Sequence, residues 1–205
     1  MLYYEKKFKA KGFDIIIGVD EVGRGPLAGP IVAAAFSLRE EKFKARIDDS
    51  KKLTARQRER AFLEITSRSL FGLSVINEGV IDRLNIQQAN RLAMHAAVDD
   101  LVFKLKRSAQ AGLREEGIYI LVDGNIKLDL KYPYKNIING DGKSKSIACA
   151  SIIAKVIRDR IMYLYDKVYP AYGFIRHKGY PTPWHKNRLK KLGPTPIHRK
   201  SFSYA

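Results

Sequence analysis

Cysteine is almost absent from this chain: Cys149 is the only one among 205 residues. A single cysteine excludes an internal disulfide and a zinc site built from several cysteines. Long apolar runs are missing too, since none approaches the roughly 20 residues that a membrane-spanning helix needs, and residues 1–7 lack the hydrophobic region of a secretory signal. We therefore expect a cytoplasmic protein without membrane contact, in which Cys149 is a buried, reduced thiol.

Acidic residues are scarce relative to basic ones. The chain has 21 Asp and Glu residues against 38 Lys and Arg residues, a formal net charge of +17. An excess of this size favours polyanions, because binding to nucleic acid releases condensed counterions. Nucleic acid is therefore the expected partner class, although charge alone gives no information about catalysis. A basic protein that binds RNA passively would have the same composition.

Apolar runs alternate with helical patterns along the chain, which predicts an α/β layer structure. Thr54 and Gln57 have the spacing of a capping box, so a helix is expected to begin there. Two strands are predicted within 18–38 and others over 70–76, 117–123 and 134–138, with long helices over 86–106 and 144–169 and a short one over 184–192. Because Pro, Gly and aromatic residues become frequent from residue 170 onward, we expect a main domain over 1–169 and a small C-terminal extension over 170–205 packed on it.

Three of the predicted strands lead directly into acidic residues. Asp20 and Glu21 follow the apolar run 15–19, Asp123 ends a second run, and Asp141 follows a third. An unpaired buried carboxylate costs several kcal/mol or shifts its pKa, so acids kept at strand ends indicate an external cation. Carboxylate oxygens are the ligands that Mg²⁺ or Mn²⁺ prefers. Polar turns also contain isolated aspartates, which is the ordinary explanation for each acid taken separately.

The geometry of the first strand limits how Asp20 and Glu21 can act together. Successive side chains of a strand point to opposite faces. We therefore expect the glycine-rich residues after Glu21 to let the backbone leave strand geometry, or the longer Glu21 side chain to reach round from the other face. If the strands that carry Asp20 and Asp123 are neighbours, these two carboxylates face each other at the sheet edge.

A basic surface around an acidic centre is what a metal-dependent nuclease requires, because divalent cations invert the local charge of the carboxylates. Two cations about 3.5–4 Å apart would activate an attacking water and stabilise the leaving oxygen of a phosphodiester. A non-catalytic module that binds hybrid or structured RNA is an alternative from another class. A phosphomonoesterase on a related α/β scaffold is a third, disfavoured because a net charge of +17 has no purpose for a small substrate.

Several segments, in order along the chain, resemble those of type 2 ribonuclease H, the ribonuclease HII family. The segments are GVDEVGRGPLAGP (18–30), DSKKLT (49–54), VDGN (122–125), GDGKS (140–144), ACASIIAKVIRDR (148–160), HKGY (177–180) and GPTPIHR (193–199). The resemblance extends from about residue 15 to residue 203. It implies a ribonuclease H-like α/β fold, in which helices flank a mixed central sheet and the catalytic domain is followed by a small helical C-terminal part.

The same resemblance implies an activity and its acidic residues. The activity is endonucleolytic cleavage of RNA in RNA–DNA hybrids and incision of duplex DNA at single embedded ribonucleotides, by two Mg²⁺ or Mn²⁺ ions, leaving a 3′-hydroxyl and a 5′-phosphate. The family's four acidic positions correspond here to Asp20, Glu21, Asp123 and Asp141. Asp159 is the alternative for the fourth, but it lies in a helix between two arginines, where a local ion pair explains it. We expect a monomer whose partners are these nucleic acids.

For substrate binding, the resemblance implies roles for Gly23, Arg24 and Gly25 and for Tyr180. The peptide groups of this glycine-rich turn can approach a sugar closely and bond its 2′-hydroxyl, the group that distinguishes RNA from DNA. Tyr180 is expected to stack on the sugar of the following deoxynucleotide, whereas without the resemblance it would be assigned to packing. Lys51 is expected to contact phosphate, although a solvated loop explains it nearly as well.

Other conspicuous residues are assigned to the structure of the protein. The four histidines lack the spacing of zinc ligands, so we expect structural roles or weak backbone contacts for them. Trp184 is expected to anchor the core of the C-terminal extension. Ser151, within a long predicted helix, is expected to pack or to hydrogen-bond a residue of the site.

Overall fold

The computed structural model describes residues 1–38, 42–108 and 114–204. In these residues the strands are β1 (Ile15–Val22), β2 (Ile31–Ser37), β3 (Phe71–Ile76), β4 (Ile118–Asp123) and β5 (Tyr134–Ile137). The helices are α1 (Tyr3–Lys9), α2 (Ala55–Arg68), α3 (Glu78–Leu84), α4 (Ile86–Arg107), α5 (Lys145–Val168), α6 (Phe174–His177) and α7 (Pro183–Leu192), and 3₁₀ turns cover Glu115–Gly117, Gly140–Gly142 and Pro170–Tyr172. None of the helices in these ranges is long and apolar enough to span a membrane.

The strands form one mixed sheet in the order β3-β2-β1-β4-β5. β2 is antiparallel to both β1 and β3, whereas β4 is parallel to both β1 and β5. Helix α4 packs on one face of the sheet, and α5 and α2 pack on the other. The predicted architecture, a mixed sheet between helices with a small helical C-terminal part, is confirmed.

The central strands are apolar on both sides because helices cover both faces of the sheet. On one face, Ile17 and Val19 of β1 pack in a cluster with Leu101 of α4. On the other, Val32 of β2 packs in a cluster with Cys149 of α5, whose thiol is buried as predicted and has a pKa raised by that burial. Alternate residues of β1 thus face helices on opposite sides of the sheet. The two neighbouring acids at the end of β1 consequently point to opposite sides as well.

The starts of the long helices follow from local chemistry. The Gln57 N–H donates to Thr54 Oγ1 at 3.2 Å, and the Thr54 N–H donates to Gln57 Oε1 at 2.9 Å, which confirms the predicted capping box before α2. The Ile147 N–H donates to Ser144 Oγ at 3.3 Å, so Ser144 caps α5. The predicted ranges of α4, α5 and α7 differ from the observed ones only at their ends.

The short helices α1, α3 and α6 have no counterpart in the sequence-based expectations. Helix α1 is held by a buried carboxylate: Glu5 Oε1 accepts from Ser144 Oγ at 2.7 Å and from the Ser146 N–H at 2.9 Å. These bonds lie at the N-terminus of α5, where the helix dipole favours a negative charge. Glu5 and these serines are far apart in the chain, so no local sequence pattern predicts the contact.

The C-terminal part packs on the loop between β1 and β2. Leu27 of this loop shares an apolar cluster with Phe174 and Leu189. The two segments are also joined through the backbone, because the Leu27 N–H donates to Gly179 O at 2.8 Å. The extension predicted over 170–205 therefore packs on the main domain, except for its last residue, which lies outside the described residues. The boundary at residue 169 stays a prediction.

Candidate active site

β1 carries Asp20 and Glu21 without leaving strand geometry. Its pairing with β2 continues past both acids to Val22, and the backbone leaves strand geometry at Gly23, whose φ is +105°. This departure comes too late to bring the two acids onto one face. The two side chains consequently point to opposite faces. Asp20 faces α5, where the Ser151 side chain lowers its pKa, and Glu21 faces α4, where the Asn90 side chain lowers its pKa, in each case against the larger effect of burial.

Asp123 lies beside Asp20 on the neighbouring strand. β1 and β4 run parallel, and their register pairs the residues that immediately precede these two aspartates. The expectation that the two strands are neighbours is therefore confirmed. Asp123 Oδ1 accepts the Gly140 N–H at 2.6 Å, which ties the 3₁₀ turn that contains Asp141 to the same edge of the sheet.

Burial and repulsion between carboxylates raise the pKa values of Asp20, Glu21 and Asp141. Burial, followed by the charges of Glu21 and Asp123, raises the pKa of Asp20 well above its usual range. Burial also raises the pKa of Glu21. The pKa of Asp141 is raised by burial and then by the charges of Asp123 and Asp49. A cation at this edge would be stabilised, because it lowers the cost of keeping these carboxyls ionised together.

The donors at this edge fit a hard divalent cation by their chemistry. They are carboxylate oxygens, which suit Mg²⁺ or Mn²⁺ better than zinc. Within the described ranges, no three acidic, histidine or cysteine side chains already converge as they would around one ion. Holding a cation therefore requires adjustment of these side chains, and binding would relieve the repulsion between the carboxylates.

Lys51 approaches the acids from the loop between β2 and α2. Burial lowers its pKa, but the charges of Asp141, Asp49 and Asp20 more than offset this, so the pKa of Lys51 is raised overall. Its backbone N–H also donates to Asp49 Oδ1 at 2.9 Å. The structure thus brings Lys51 to the acidic residues, as a contact with substrate phosphate would require.

The turn after β1 has two glycines with different constraints. Gly23 is required by the fold, since its φ is +105° and a Cβ there would lie 2.5 Å from Arg158 Nε. Gly25 is not: its φ lies outside the left-handed region, and the nearest atom to a Cβ there would be Tyr180 Cε1 at 3.7 Å. Nothing inside the protein therefore explains a glycine at position 25, whereas close approach of a ligand would.

Tyr180 completes this surface from the C-terminal part. Its side chain is 37% exposed, and its backbone is held on both sides: the Tyr180 N–H donates to His177 O at 2.9 Å, and His185 Nδ1 lies 2.9 Å from Tyr180 O. On the strand side of the turn, the exposed Arg24 guanidinium lies 3.7 Å from the Glu21 carboxylate. The predicted turn, Tyr180 and one of the predicted acids thus share one surface.

Comparison with known families identifies the family to which a chain with this arrangement belongs. A family model described as ribonuclease HII matches residues 17–205. The chain belongs to the ribonuclease HII family. The ribonuclease HII of Enterococcus faecalis is 45% identical over 204 residues, covering 99% of this chain and 75% of the relative. That of Acholeplasma laidlawii is 48% identical over 204 residues, covering 98% of this chain and 94% of the relative. Membership of the ribonuclease HII family makes this chain an RNA-cleaving hydrolase.

Solved structures share the fold with this ribonuclease HII family member. The crystal structure of ribonuclease H2 from Pyrococcus horikoshii OT3 matches with a TM-score of 0.73 at 25% identity, covering 93% of this chain and 95% of that one. A structure of Bst-RNase HIII in complex with Mn²⁺ matches with a TM-score of 0.71 at 18% identity, covering 93% of this chain and 67% of that one. At that identity the second match supports the fold alone.

Among the acids that the ribonuclease HII motifs contain, Asp141 and Asp159 have different surroundings. Asp141 is 6% exposed and lies in the electrostatic field of Asp123. Asp159 forms an ion pair of 2.7 Å with Lys155, one turn earlier on α5. Asp159 thus forms a local ion pair, as expected, although its partner is Lys155 and not one of the flanking arginines. Asp141 is the acid that the structure brings to the other carboxylates.

Asn90 is a polar residue of this ribonuclease HII site that the sequence analysis missed. It is 2% exposed, lowers the pKa of Glu21 and leaves its Oδ1 without a partner in the described part of the chain. Its signal was a buried amide one turn before Met94 on the apolar face of α4. Ser151 is buried, as the expectation of packing requires; its hydroxyl donates to Ser50 Oγ at 3.0 Å, and its side chain lowers the pKa of Asp20.

Trp184 lies outside the apolar core of the C-terminal part, contrary to the expectation, and its Nε1–H donates to Tyr172 O at 3.2 Å. Its side chain is 43% exposed, and the guanidinium groups of Arg176 and Arg188 lie 5.5 Å and 4.4 Å from its ring. The buried side of α7 consists of His185 and Leu189, one turn apart. The position next to His185 therefore turns toward solvent.

The histidines have structural roles, as expected. The rings of His177 and His185 stack at 4.4 Å, and His185 Nε2 lies 3.0 Å from His198 Nε2, all three side chains being buried. Burial lowers the pKa values of His185 and His198 to about 4. His95, on α4, lies apart from this cluster and is 2.9 Å from Asp99.

Proposed function

We propose that this chain is an endoribonuclease that hydrolyses the RNA strand of RNA–DNA hybrids and incises duplex DNA at single embedded ribonucleotides. The observation that carries the proposal is the adjacency of Asp20 and Asp123 on parallel strands, with Glu21 on the opposite face and Asp141 in the following turn. These carboxylates lie beside a turn and a tyrosine suited to a sugar. The net charge of +17 supplies attraction for two phosphate backbones.

The four carboxylates are the residues that would hold Mg²⁺ or Mn²⁺. Support comes from their donor chemistry and from the fold shared with Bst-RNase HIII, whose structure contains Mn²⁺. Two such ions, when bound, would activate the attacking water and stabilise the departing 3′ oxygen, so that the products carry a 3′-hydroxyl and a 5′-phosphate. Ser151 and Asn90 lie beside Asp20 and Glu21 on the two faces of the sheet and favour the ionised form of each carboxyl.

We assign recognition of the ribose to the turn that contains Gly23, Arg24 and Gly25. The open space above Gly25 lets its peptide groups approach a 2′-hydroxyl, which only a ribonucleotide carries. The exposed ring of Tyr180 stacks on the sugar of the following deoxynucleotide, where a second ribose would fit less well. Lys51 contacts phosphate beside the acids.

We also assign these tasks to two parts of the chain. Residues 1–169 form the catalytic domain, because all four acids lie there. The extension from residue 170 contributes Tyr180 and so senses the junction between RNA and DNA. The packing of Leu27 against this extension supports their joint action.

The test uses duplex DNA with one ribonucleotide, an RNA–DNA hybrid and an all-DNA duplex of the same sequence. With Mg²⁺ or Mn²⁺ we expect incision that leaves the ribonucleotide with a 5′-phosphate, cleavage of the hybrid, and no cleavage of the all-DNA duplex. Chelation should abolish both activities. Binding of the hybrid without cleavage under either metal would favour a passive RNA-binding module, and cleavage that survives chelation would contradict the metal role.

A further inference from the structure

Arg199 lies beneath the Gly23-Arg24-Gly25 turn and is fully buried. Its guanidinium donates to three backbone carbonyls: Nη2 bonds Gly23 O at 2.6 Å, Nη1 bonds Arg24 O at 3.1 Å, and Nε and Nη2 bond Gly29 O at 3.0 and 2.7 Å. One side chain from the C-terminal part thus holds two successive carbonyls of the turn after β1. These bonds do not involve the acidic side chains. They fix the direction in which the peptide groups of the turn point.

The directions of these peptides follow from their planarity. In a trans peptide, the C=O and N–H bonds point to opposite sides, and no cis peptide occurs in the described residues. Because Gly23 O points down to Arg199, the Arg24 N–H in the same peptide points away from it. The same holds for Arg24 O and the Gly25 N–H. In agreement, Gly23 is buried whereas Arg24 and Gly25 are exposed.

We propose that Arg199 is a positioning residue for ribose recognition: by drawing the carbonyls of Gly23 and Arg24 into the protein, it directs the N–H groups of Arg24 and Gly25 toward the 2′-hydroxyl of the substrate. This inference rests on the proposed function, which places the ribonucleotide at this turn. Arg199 touches neither the substrate nor the acids, and it acts only through the backbone that it holds.

The choice of side chain matches this task. A guanidinium is costly to bury, and burial, followed by the charge of Arg158, lowers the pKa of Arg199, with the carboxylate of Glu78 opposing the shift. A lysine would carry the same charge on a single nitrogen, whereas arginine has donors in a rigid planar fork. The fork is what can hold carbonyls of successive peptides in set directions.

Arg158 provides a matched control within the same chain. It is also fully buried, and its guanidinium also donates to three carbonyls: those of Pro30 at 2.9 Å, Lys178 at 2.9 Å and Ala28 at 3.1 Å. None of these belongs to the two peptides that present the N–H groups. Arg158 also packs against Gly23, and its guanidinium lies 5.9 Å from the centre of the Tyr180 ring. A lysine at position 158 therefore removes comparable bonds beside the same surface but no bond to the carbonyls of Gly23 and Arg24.

The experiment measures binding without metal, in the presence of chelator, by fluorescence anisotropy. The probes are duplex DNA with one ribonucleotide and the same duplex with the deoxynucleotide. We expect Arg199→Lys to lower the preference for the ribonucleotide about tenfold, the scale of lost hydrogen bonds, with affinity for the all-DNA duplex within about twofold. Arg158→Lys should change both affinities by the same factor and leave the preference intact.

The outcomes distinguish the role of Arg199 from the proposed function. If wild type prefers the ribonucleotide and Arg199→Lys, folded as judged by circular dichroism, keeps that preference, the role of Arg199 is refuted while the proposed function stands. An equal loss of affinity for both duplexes would also refute it, because it marks a merely structural residue. A wild type that neither prefers nor cleaves the ribonucleotide duplex would overturn the proposed function and this inference together.

A measurement on the wild type covers the case in which Arg199→Lys does not fold. Amide hydrogen exchange of Arg24 and Gly25 should be fast in the free protein, because both N–H groups point outward. Binding of the ribonucleotide duplex should slow the exchange, and binding of the all-DNA duplex should slow it less. Protection of both amides in the free protein, or equal protection by the two duplexes, would contradict the proposal.

Discussion

Tyr180 lies against Gly25: a Cβ built on Gly25 would be 3.7 Å from Tyr180 Cε1, an ordinary van der Waals distance. The two residues come from opposite ends of the chain and form one surface beside Glu21, through the ion pair of that acid with Arg24. No atom of the residues that the structure describes would therefore clash with a methyl group at position 25. Any penalty of a side chain there must come from the substrate.

Replacement of Gly25 should therefore separate activity from stability. We expect Gly25→Ala to leave the free energy of unfolding within about 0.5 kcal/mol of wild type, because its φ and surroundings accept a Cβ. Cleavage of a ribonucleotide duplex should fall about 10- to 100-fold, because the methyl group displaces the sugar. Urea unfolding and initial cleavage rates measure the two quantities.

Gly23→Ala is the matched control for this experiment. At a φ of +105° and 2.5 Å from Arg158 Nε, a Cβ should cost at least about 1 kcal/mol of stability. A Gly25→Ala protein that unfolds as easily as Gly23→Ala, or that cleaves as fast as wild type, would contradict the assignment of Gly25 to the ligand.

Removal of the Asp20 carboxylate should abolish activity while stabilising the metal-free fold. We expect Asp20→Asn to lower Mg²⁺-dependent cleavage at least about a hundredfold, more than the loss of a group that only supports a metal ligand. Asp159→Asn, which removes only the ion pair with Lys155, should cleave like wild type. Similar losses in both variants would refute the choice of Asp141 and its neighbours over Asp159.

The stability half of this prediction follows from the raised pKa of Asp20. A carboxyl whose pKa is higher in the folded than in the unfolded state favours folding most when protonated, so stability falls as pH rises from the unfolded value of about 4 through the folded pKa. Above that range, Asp20→Asn should unfold at the same or higher urea concentration than wild type without metal. A clearly less stable variant at neutral pH would show that Asp20 is held by favourable bonds.

Loss of the Tyr180 ring should affect cleavage at a junction more than binding. We expect Tyr180→Ala to lower incision at a single ribonucleotide about tenfold, on the scale of one lost stacking contact, and to change the affinity for the duplex less. Tyr163→Ala, an exposed tyrosine on α5, controls for loss of an aromatic surface group. Equal incision by wild type and Tyr180→Ala would refute the role of the ring.

The buried histidines should make stability depend on pH. Thr195 donates its N–H to His198 Nδ1 at 2.9 Å, so the neutral His198 carries its proton on Nε2 and donates to His185 Nε2 at 3.0 Å; His185 Nδ1–H then donates to Tyr180 O. Protonation of either ring would set two N–H groups against each other. The burial of these rings lowers the pKa of both to about 4.

The sign of this effect is the opposite of that for Asp20. An unfolded histidine titrates near about 6.5, so between that pH and about 4 the unfolded chain binds more protons than the folded one. The free energy of unfolding should fall as pH falls through this window, by about 1.4 kcal/mol per pH unit for each such proton. Urea titrations measure the slope, and imidazole NMR signals of His185 and His198 that titrate near 6.5 in the folded protein would contradict it.

Local patterns predicted the elements whose causes are local. Thr54 and Gln57 predict the start of α2 because a capping box is complete within one turn. Apolar runs predict the strands because helices cover both faces of the sheet. Trp184 was placed wrongly, since the pattern does not tell which side of a short helix meets the core. Helix α1 escaped prediction because the Ser144 hydroxyl that holds Glu5 lies far along the chain.

By itself, the sequence determined the net positive charge and the motifs that place the chain in its family, and it predicted the four acids. The tertiary structure alone decided that Asp20 stands beside Asp123, that Glu21 comes from the other face, and that Arg199 holds the turn before Gly25. The physical reason is that the chemistry of each residue depends only on which amino acid stands at that position. Strand register, the face of a strand and the direction of a peptide arise only when distant segments pair and bury one another's polar groups.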